Sequence, residues 1–351
     1  MPVVVDERCR LHDPGAEIWI GVRTPATEVP ERVDAISAAL ADAGAELVES
    51  DRHGDDALRS VHNDELLAYL ASAWDDWNAA GLPNDPGQDR VVPYVFAHER
   101  LTPRDATVPA AVWARPGYFA YDTMTLVGPG TWEAARAAVD VALTAADLVR
   151  AGTPAAYACV RPPGHHATRS CYGGSCYLNH AAVAAASLAS SLGRVAVLDV
   201  DAHHGNGTQE IFYERSDVAV ASVHVDPGAG WFPHFLGFAD EDGEGEGQCA
   251  NRNVPVAPGT GDDGWLAAVE SLVTWASGHE PRALVVSLGV DAAVSDPESP
   301  LRVTTDGFRA AGRLIGAVGV RTVFVQEGGY DLSTIGGLVR DVLEGFEEAR
   351  R

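Results

Sequence analysis

The sequence contains no lysine: all 25 basic residues are arginine, and against 50 acidic residues they leave a formal net charge of -25. So acidic a chain is poorly suited to nucleic acid phosphates and draws small cations toward itself. The missing lysine reads as compositional bias and carries no functional message. Cysteine is scarce and odd in number, at five, and Cys9, Cys159, Cys171, Cys176 and Cys249 are scattered. That pattern excludes a disulfide framework and fits free thiols in a reducing compartment. Cys171 and Cys176 lack zinc-knuckle spacing, so buried or channel-lining thiols are the expectation there. Also absent are an apolar run of about twenty residues, a charged-then-apolar leader and any internal repeat. A cytoplasmic protein without a membrane segment is expected.

With 351 residues, 46% of them hydrophobic, the chain can bury a large core. One α/β domain spanning residues 1–351 is expected rather than two. Apolar runs at 156–160, 195–200, 283–288 and 322–325 read as buried strands. Helical patterns at 35–44, 63–77, 132–150, 181–192, 265–276 and 308–318 alternate with them, as in doubly wound folds. Thr131 is the candidate cap of the long third helix and Gly152 its stop. Two loop regions stand out. Residues 82–116 are rich in proline, and Asp240, Glu241, Asp242, Glu244 and Glu246 stand among glycines. The second reads as a solvated acidic loop in preference to a cation-attracting rim.

What the chain does have is DVDAHHGNGTQ at residues 199–209. Side chains two apart on an extended segment point the same way, so Asp199, Asp201 and His203 can converge above the sheet edge. An Asp-x-His pair offers one oxygen and one nitrogen, a mixed set that suits zinc or iron(II) better than calcium. Alone, the run fits a hydrogen-bonded surface loop equally well. Three further strands alter that reading, because each breaks at its carboxyl end into reactive residue types: RPPGHHA with His165 and His166, GVDAAVSDP with Asp291, and QEGGYD with Tyr330. In open parallel sheets the ligand site lies outside the carboxyl ends of the strands, so four strands deliver to one crevice.

In that order and spacing these motifs resemble the zinc amidohydrolases that include histone deacetylases and acetylpolyamine amidohydrolases. VHNDELLAYL, GPGTWEAA, IFYERSDVAVASVH and FPHFLGF extend the resemblance over nearly the whole chain, toward the bacterial acetylpolyamine branch. The resemblance implies an arginase/deacetylase-like α/β fold, a single mainly parallel eight-stranded sheet flanked by helices. It assigns zinc, with iron(II) as the alternative, to Asp201, His203 and Asp291. It makes Tyr330 the group that polarises the acetyl carbonyl, His166 the general base and later acid, and His165 its electrostatic partner held by Asp199. Asn206 stands where many deacetylases carry a second Asp, so His166 should be the less basic imidazole. A structural potassium ion is also implied, on backbone carbonyls of Asp199, Asp201, His203, Ser222 and Val223 with the Asp199 side chain. The proline-rich insertion is expected to narrow the channel and help form a homodimer.

The substrate implied is a small cationic acetylated amine, acetylpolyamines first. Here the chain departs from the family pattern. Acids of the acetylpolyamine branch are replaced by Trp113 and Met124, and the aromatic expected after Gly174 is Ser175, so the slot beside Phe232 should be wider and wetter. Glu17 matches a Glu of that branch, and Glu298 matches a Glu of a polyamine-selective eukaryotic relative. The alternatives are an acetyl-lysine protein deacetylase, a deacylase of a specialised metabolite, and a metal-binding pseudoenzyme that acts through partners.

Overall fold

The computed structural model describes residues 1–98 and 107–351, so residues 99–106 of the proline-rich insertion lie outside the described residues. Among the described residues ten strands are present: β1 (Val3–Val5), β2 (Glu17–Trp19), β3 (Val22–Thr24), β4 (Leu47–Glu49), β5 (Ala155–Ala158), β6 (Val195–Asp199), β7 (Val218–Val225), β8 (Asn251–Val256), β9 (Ala283–Leu288) and β10 (Arg321–Gln326). Eight form one sheet in the order β4-β1-β5-β10-β9-β6-β7-β8, and β2 pairs with β3 as a separate antiparallel hairpin. Every pairing in the large sheet is parallel, so the sheet is wholly rather than mainly parallel.

The strand sequences explain that architecture. β5, β6, β7 and β9 are buried along their full length, as a parallel sheet covered on both faces requires, and they read as continuous apolar runs instead of alternating ones. Two groups of helices flank the sheet. In one, the alanine-rich Thr131–Arg150 packs on His180–Leu192; in the other, Thr305–Gly316 packs on Ile335–Ala349. The second pair meets closely because a Cβ on Gly312 would lie 2.1 Å from the Val342 carbonyl oxygen.

Helix ends follow local chemistry. Asn63 caps Asp64–Ala79 by accepting from the Leu66 N–H at 2.8 Å. The cap of Thr131–Arg150 is Gly130 and not Thr131: the position is left-handed, with φ 78°, and Thr131 is already helical. Its hydroxyl instead accepts from the Gly128 N–H at 2.9 Å.

One consequence of the strand order positions the site. The four strands that carry the reactive motifs, β5, β10, β9 and β6, are neighbours at the centre of the sheet. Their carboxyl ends therefore form one contiguous ledge.

Candidate active site

β6 ends at Asp199, and the next residues bend out of the strand instead of extending it. The bend closes on itself, since the Asp201 N–H donates to Asp199 Oδ1 at 3.1 Å and the His203 N–H to Asp201 Oδ1 at 2.9 Å. Asp291 follows β9 and accepts from the Ala202 N–H through Oδ1 at 2.9 Å. Its other oxygen lies 2.9 Å from His203 Nδ1, which is also 3.5 Å from Asp201 Oδ1. Asp201, His203 and Asp291 thus present ligand atoms that all lie within 4.8 Å of one another.

This trio fits a divalent ion on its own electrostatics. Burial and the charge on Asp201 push the Asp291 carboxyl up to about 7. Burial opposes ionisation of Asp201 too, but His165 and His203 outweigh it and hold that carboxyl below the usual range. Two crowded, desolvated carboxylates beside an imidazole are costly without a cation among them. Glycine provides the access: a Cβ on Gly328 would lie 2.6 Å from Asp201 Oδ2 and 2.7 Å from Asp291 Oδ2. One nitrogen and two carboxylate oxygens, with no fourth side chain among the described residues, suit a catalytic zinc with an open position.

The tandem histidines stand beside this trio with ring centroids 4.0 Å apart. His165 Nδ1 lies 2.9 Å from Asp199 Oδ2, and His166 Nδ1 lies 2.7 Å from Asn206 Oδ1. The Asn206 amide nitrogen faces the Tyr121 hydroxyl and the His166 carbonyl, each at 3.4 Å, so its oxygen is the group that meets His166. A proton therefore sits on His166 Nδ1, and Nε2 is left with a lone pair. Burial lowers the His165 imidazole, yet Asp199 and Asp201 outweigh it and raise it to about 10. Burial, joined by the charge on His165, keeps His166 well below its ordinary value.

Tyr330 sits on the turn after β10, where its N–H donates to Asp296 Oδ2 at 2.6 Å. The buried Arg32 guanidinium braces the turn from behind, donating to the Gly329 carbonyl at 2.6 Å and lying 4.9 Å from the Tyr330 ring centroid. Burial, then the charge on Glu298, raises the Tyr330 hydroxyl well above 10, which keeps it a donor. Asp199 and Ser222 are register partners on β6 and β7, and Ser222 and Val223 are both buried.

The channel residues are sorted differently. Phe232 stands edge-on to His166, with centroids 4.8 Å apart. Ser175 adds no ring to the opposite side, and its N–H is held by Thr125 Oγ1 at 2.9 Å. An aromatic neighbour comes instead from Tyr121, near parallel to Phe232 at 6.3 Å. Sequence reasoning missed Tyr121 because its partners, His166 and Phe232, are remote in the chain. Gly174 is required where it is, since φ is 58° and a Cβ would lie 2.4 Å from the His166 ring. Met124 lines a cavity of about 650 Å³ with Trp19, Ile20, Phe96, Phe232 and Phe235, and Tyr121 and Asn206 join that cavity to the histidines. Trp113 does not line it and is 51% exposed on a short turn.

Glu17 and Glu298, far apart in sequence, are brought together. The Thr27 hydroxyl donates to Glu298, whose charge acts on Glu17. Burial, then Glu298, pushes the Glu17 carboxyl up to about 7. The acidic loop is not uniformly solvated: Glu241 Oε2 accepts from Gln209 Nε2 at 2.7 Å and from the Gly237 N–H at 2.8 Å, while Asp240, Glu244 and Glu246 remain exposed. All five cysteines are free thiols, with Cys171 lining the cavity and Cys176 buried. No helix among the described residues is long and apolar enough to cross a membrane.

The chain is similar to known proteins along nearly its whole length. The chain is 41% identical over 344 residues to acetylpolyamine amidohydrolase 1 of Pseudomonas aeruginosa, covering 97% of each chain. It is 41% identical over 347 residues to acetylpolyamine amidohydrolase of Mycoplana ramosa, covering 98% of this chain and 99% of that one. The crystal structure of acetylpolyamine aminohydrolase from Burkholderia pseudomallei superposes with a TM-score of 0.94 at 38% identity over the whole of both chains. A model of the histone deacetylase domain matches residues 26–346. With that match and those full-length relatives, the chain belongs to the histone deacetylase family.

Proposed function

We propose that this chain hydrolyses the acetamide of small acetylated amines, acetylpolyamines first, to acetate and the free amine. The observation that carries the reading is the convergence of Asp201, His203, Asp291, the partnered tandem histidines and Tyr330 on one ledge of the sheet. So complete a set is not what a pseudoenzyme freed from catalysis would keep.

Asp201, His203 and Asp291 hold zinc, with iron(II) the alternative. When bound, that ion supplies Lewis acidity toward the acetyl carbonyl and the attacking water. His166 Nε2 takes the proton of the water, and the same proton later passes to the leaving amine, so that one group serves as base and then as acid. His165, fixed on Asp199, keeps positive charge beside the developing negative charge. The Tyr330 hydroxyl donates to the carbonyl oxygen as it gains charge. Glu17 and Glu298 attract the distal ammonium of the substrate. Potassium at the backbone carbonyls of Asp199, Asp201, His203, Ser222 and Val223 would brace the loop from behind.

The exposed Trp19, Ile20 and Phe235, which line the cavity, support the expectation of a homodimer, since apolar groups concentrated near a channel mouth favour a covering partner. A cytoplasmic location fits the free thiols. Met124, which lines the cavity in place of an acid, favours a second reading, hydrolysis of acetyl-lysine in peptides. A turnover panel of zinc-loaded protein on acetylputrescine, acetylcadaverine, acetylspermidine and an acetyl-lysine peptide tests both. Turnover greatest on the acetylpolyamines is expected; preference for the peptide selects the second reading, and no turnover on any of the four rejects both.

A further inference from the structure

We propose that Glu327 is a positioning residue, whose carboxylate locks the loop carrying His165 and His166 to the turn carrying Tyr330. The inference rests on the function proposed above. Glu327 is fully buried at the carboxyl end of β10, next to β5 in the sheet. Its Oε2 accepts from the Gly164 N–H at 2.7 Å and from the His165 N–H at 3.1 Å. Among the described residues no other acceptor serves those two buried N–H groups. Buried backbone donors require partners, and this stretch has left β5 and has no sheet neighbour to supply them.

The main chain of the same residue is tied to the other parts of the site. The Glu327 N–H donates to the Leu288 carbonyl at the end of β9, at 2.9 Å, and its carbonyl accepts from Arg32 at 2.5 Å. The next N–H, that of Gly328, donates to Asp201 Oδ2 at 2.8 Å. Two residues further on is Tyr330. One residue therefore fixes the spacing between the proton-handling histidines, a metal-binding carboxylate and the oxyanion donor. The second carboxylate oxygen, Oε1, has no hydrogen-bond partner among the described residues, and a carboxylate oxygen of Glu327 lies within 4.8 Å of a His165 ring nitrogen and of Cys176 Sγ. A residue needed only to fill space would not place an unpaired carboxylate oxygen there.

The alternative is that the charge of Glu327 matters and its reach does not, and two substitutions separate these. Glu327→Gln keeps the length and an acceptor oxygen but removes the charge, whereas Glu327→Asp keeps the charge and withdraws it by one methylene. Zinc content, kcat and KM on acetylputrescine, and amide hydrogen exchange of residues 161–168 are the readouts. Glu327→Gln should keep kcat within about 3-fold and leave exchange slow. Glu327→Asp should lower kcat roughly 10-fold to 100-fold, the scale of a displacement near 1 Å, with KM within about 3-fold and zinc retained. Exchange at Gly164 and His165 should rise in that variant. The reverse order of kcat, a change confined to KM, or wild-type behaviour of Glu327→Asp overturns the proposal. If Glu327→Asp does not fold, a loss above about 10-fold in Glu327→Gln overturns it and retention of kcat supports it. Should the wild-type protein turn over none of the substrate panel, the proposed function fails, and the exchange comparison still decides whether Glu327 holds this loop.

Discussion

At the floor of the site, His165, Asp199, Asp201, Asp291 and Glu327 are each no more than 2% exposed, whereas Trp19, Ile20 and Phe235 at the mouth are 50%, 82% and 87% exposed. A buried carboxylate or imidazole is tolerated only with a matching partner, so each floor residue depends on the others and a single change leaves an unpaired group behind. At the mouth, water satisfies whatever the protein does not. An acid can give way there to Met124 without disturbing the core. The chemistry is therefore rigidly specified while the choice of substrate is free to vary.

The largest expected effect tests the floor. His203→Ala removes the one nitrogen ligand of the trio, and should abolish zinc binding and lower kcat/KM by several kcal/mol, roughly 10³-fold or more. The fold should survive, because His203 lies beyond the end of β6 on a bend and not in the apolar core. Metal analysis with circular dichroism checks both halves. Full zinc occupancy in this variant would remove the ligand assignment.

Next in size is Tyr330→Phe, which deletes only the hydroxyl. Zinc and substrate should still bind, while kcat falls by roughly 10² or more, the scale of one oxyanion donor. Arg32 holds the turn through the Gly329 carbonyl, so the ring should keep its place. Near-normal turnover would mean that the ion alone polarises the carbonyl.

The contrast between floor and mouth also governs what could be read from the sequence. β5, β6, β9 and β10 were legible because strands buried on both faces are continuous apolar runs, and the reactive residues follow them directly. The three-residue strands β1 and β4 carry no usable period, whereas the helix Ile335–Ala349 does, since Ile335, Leu338, Val339, Val342, Leu343 and Phe346 recur at helical spacing. Glu327 lay inside a recognised motif, yet its task depends on Gly164 and His165, 163 and 162 residues away. Tyr121 was missed for the same reason. Glu241 was expected in solvent with its acidic neighbours and turned inward, because Gln209 and Asn253 offer amide donors to it from distant segments.

Two smaller effects sharpen the comparison at the mouth. Glu298 is the acid that departs from this pattern of free exchange, being partly desolvated and held by Thr27 near Glu17. A charge-assisted contact in that setting contributes about 1 to 3 kcal/mol, or roughly 5-fold to 150-fold in kcat/KM. Glu298→Leu should therefore lower kcat/KM on acetylpolyamines, spare or improve the acetyl-lysine peptide, and flatten the fall of activity with added salt. Equal losses on both substrates would assign Glu298 to structure instead.

The smallest effect belongs to the acidic loop. Asp240, Glu244 and Glu246 are exposed, and the loop is tied back to the edge strand β8 through the Asn251 N–H and the Asp242 carbonyl, at 3.3 Å. Exposed charges are screened within about 8 to 10 Å at ordinary salt, so they reach a channel substrate weakly. Neutralising the three together, as Asp240→Asn, Glu244→Gln and Glu246→Gln, should change kcat/KM on acetylspermidine by less than about 2-fold at 0.15 M salt. Glu241 is left intact in that variant, since its carboxylate organises Gln209, Gly237 and Asn253. A loss as large as that of Glu298→Leu would make the loop a cation-gathering rim, and selection would then rest on its exposed charges as well as on Glu298.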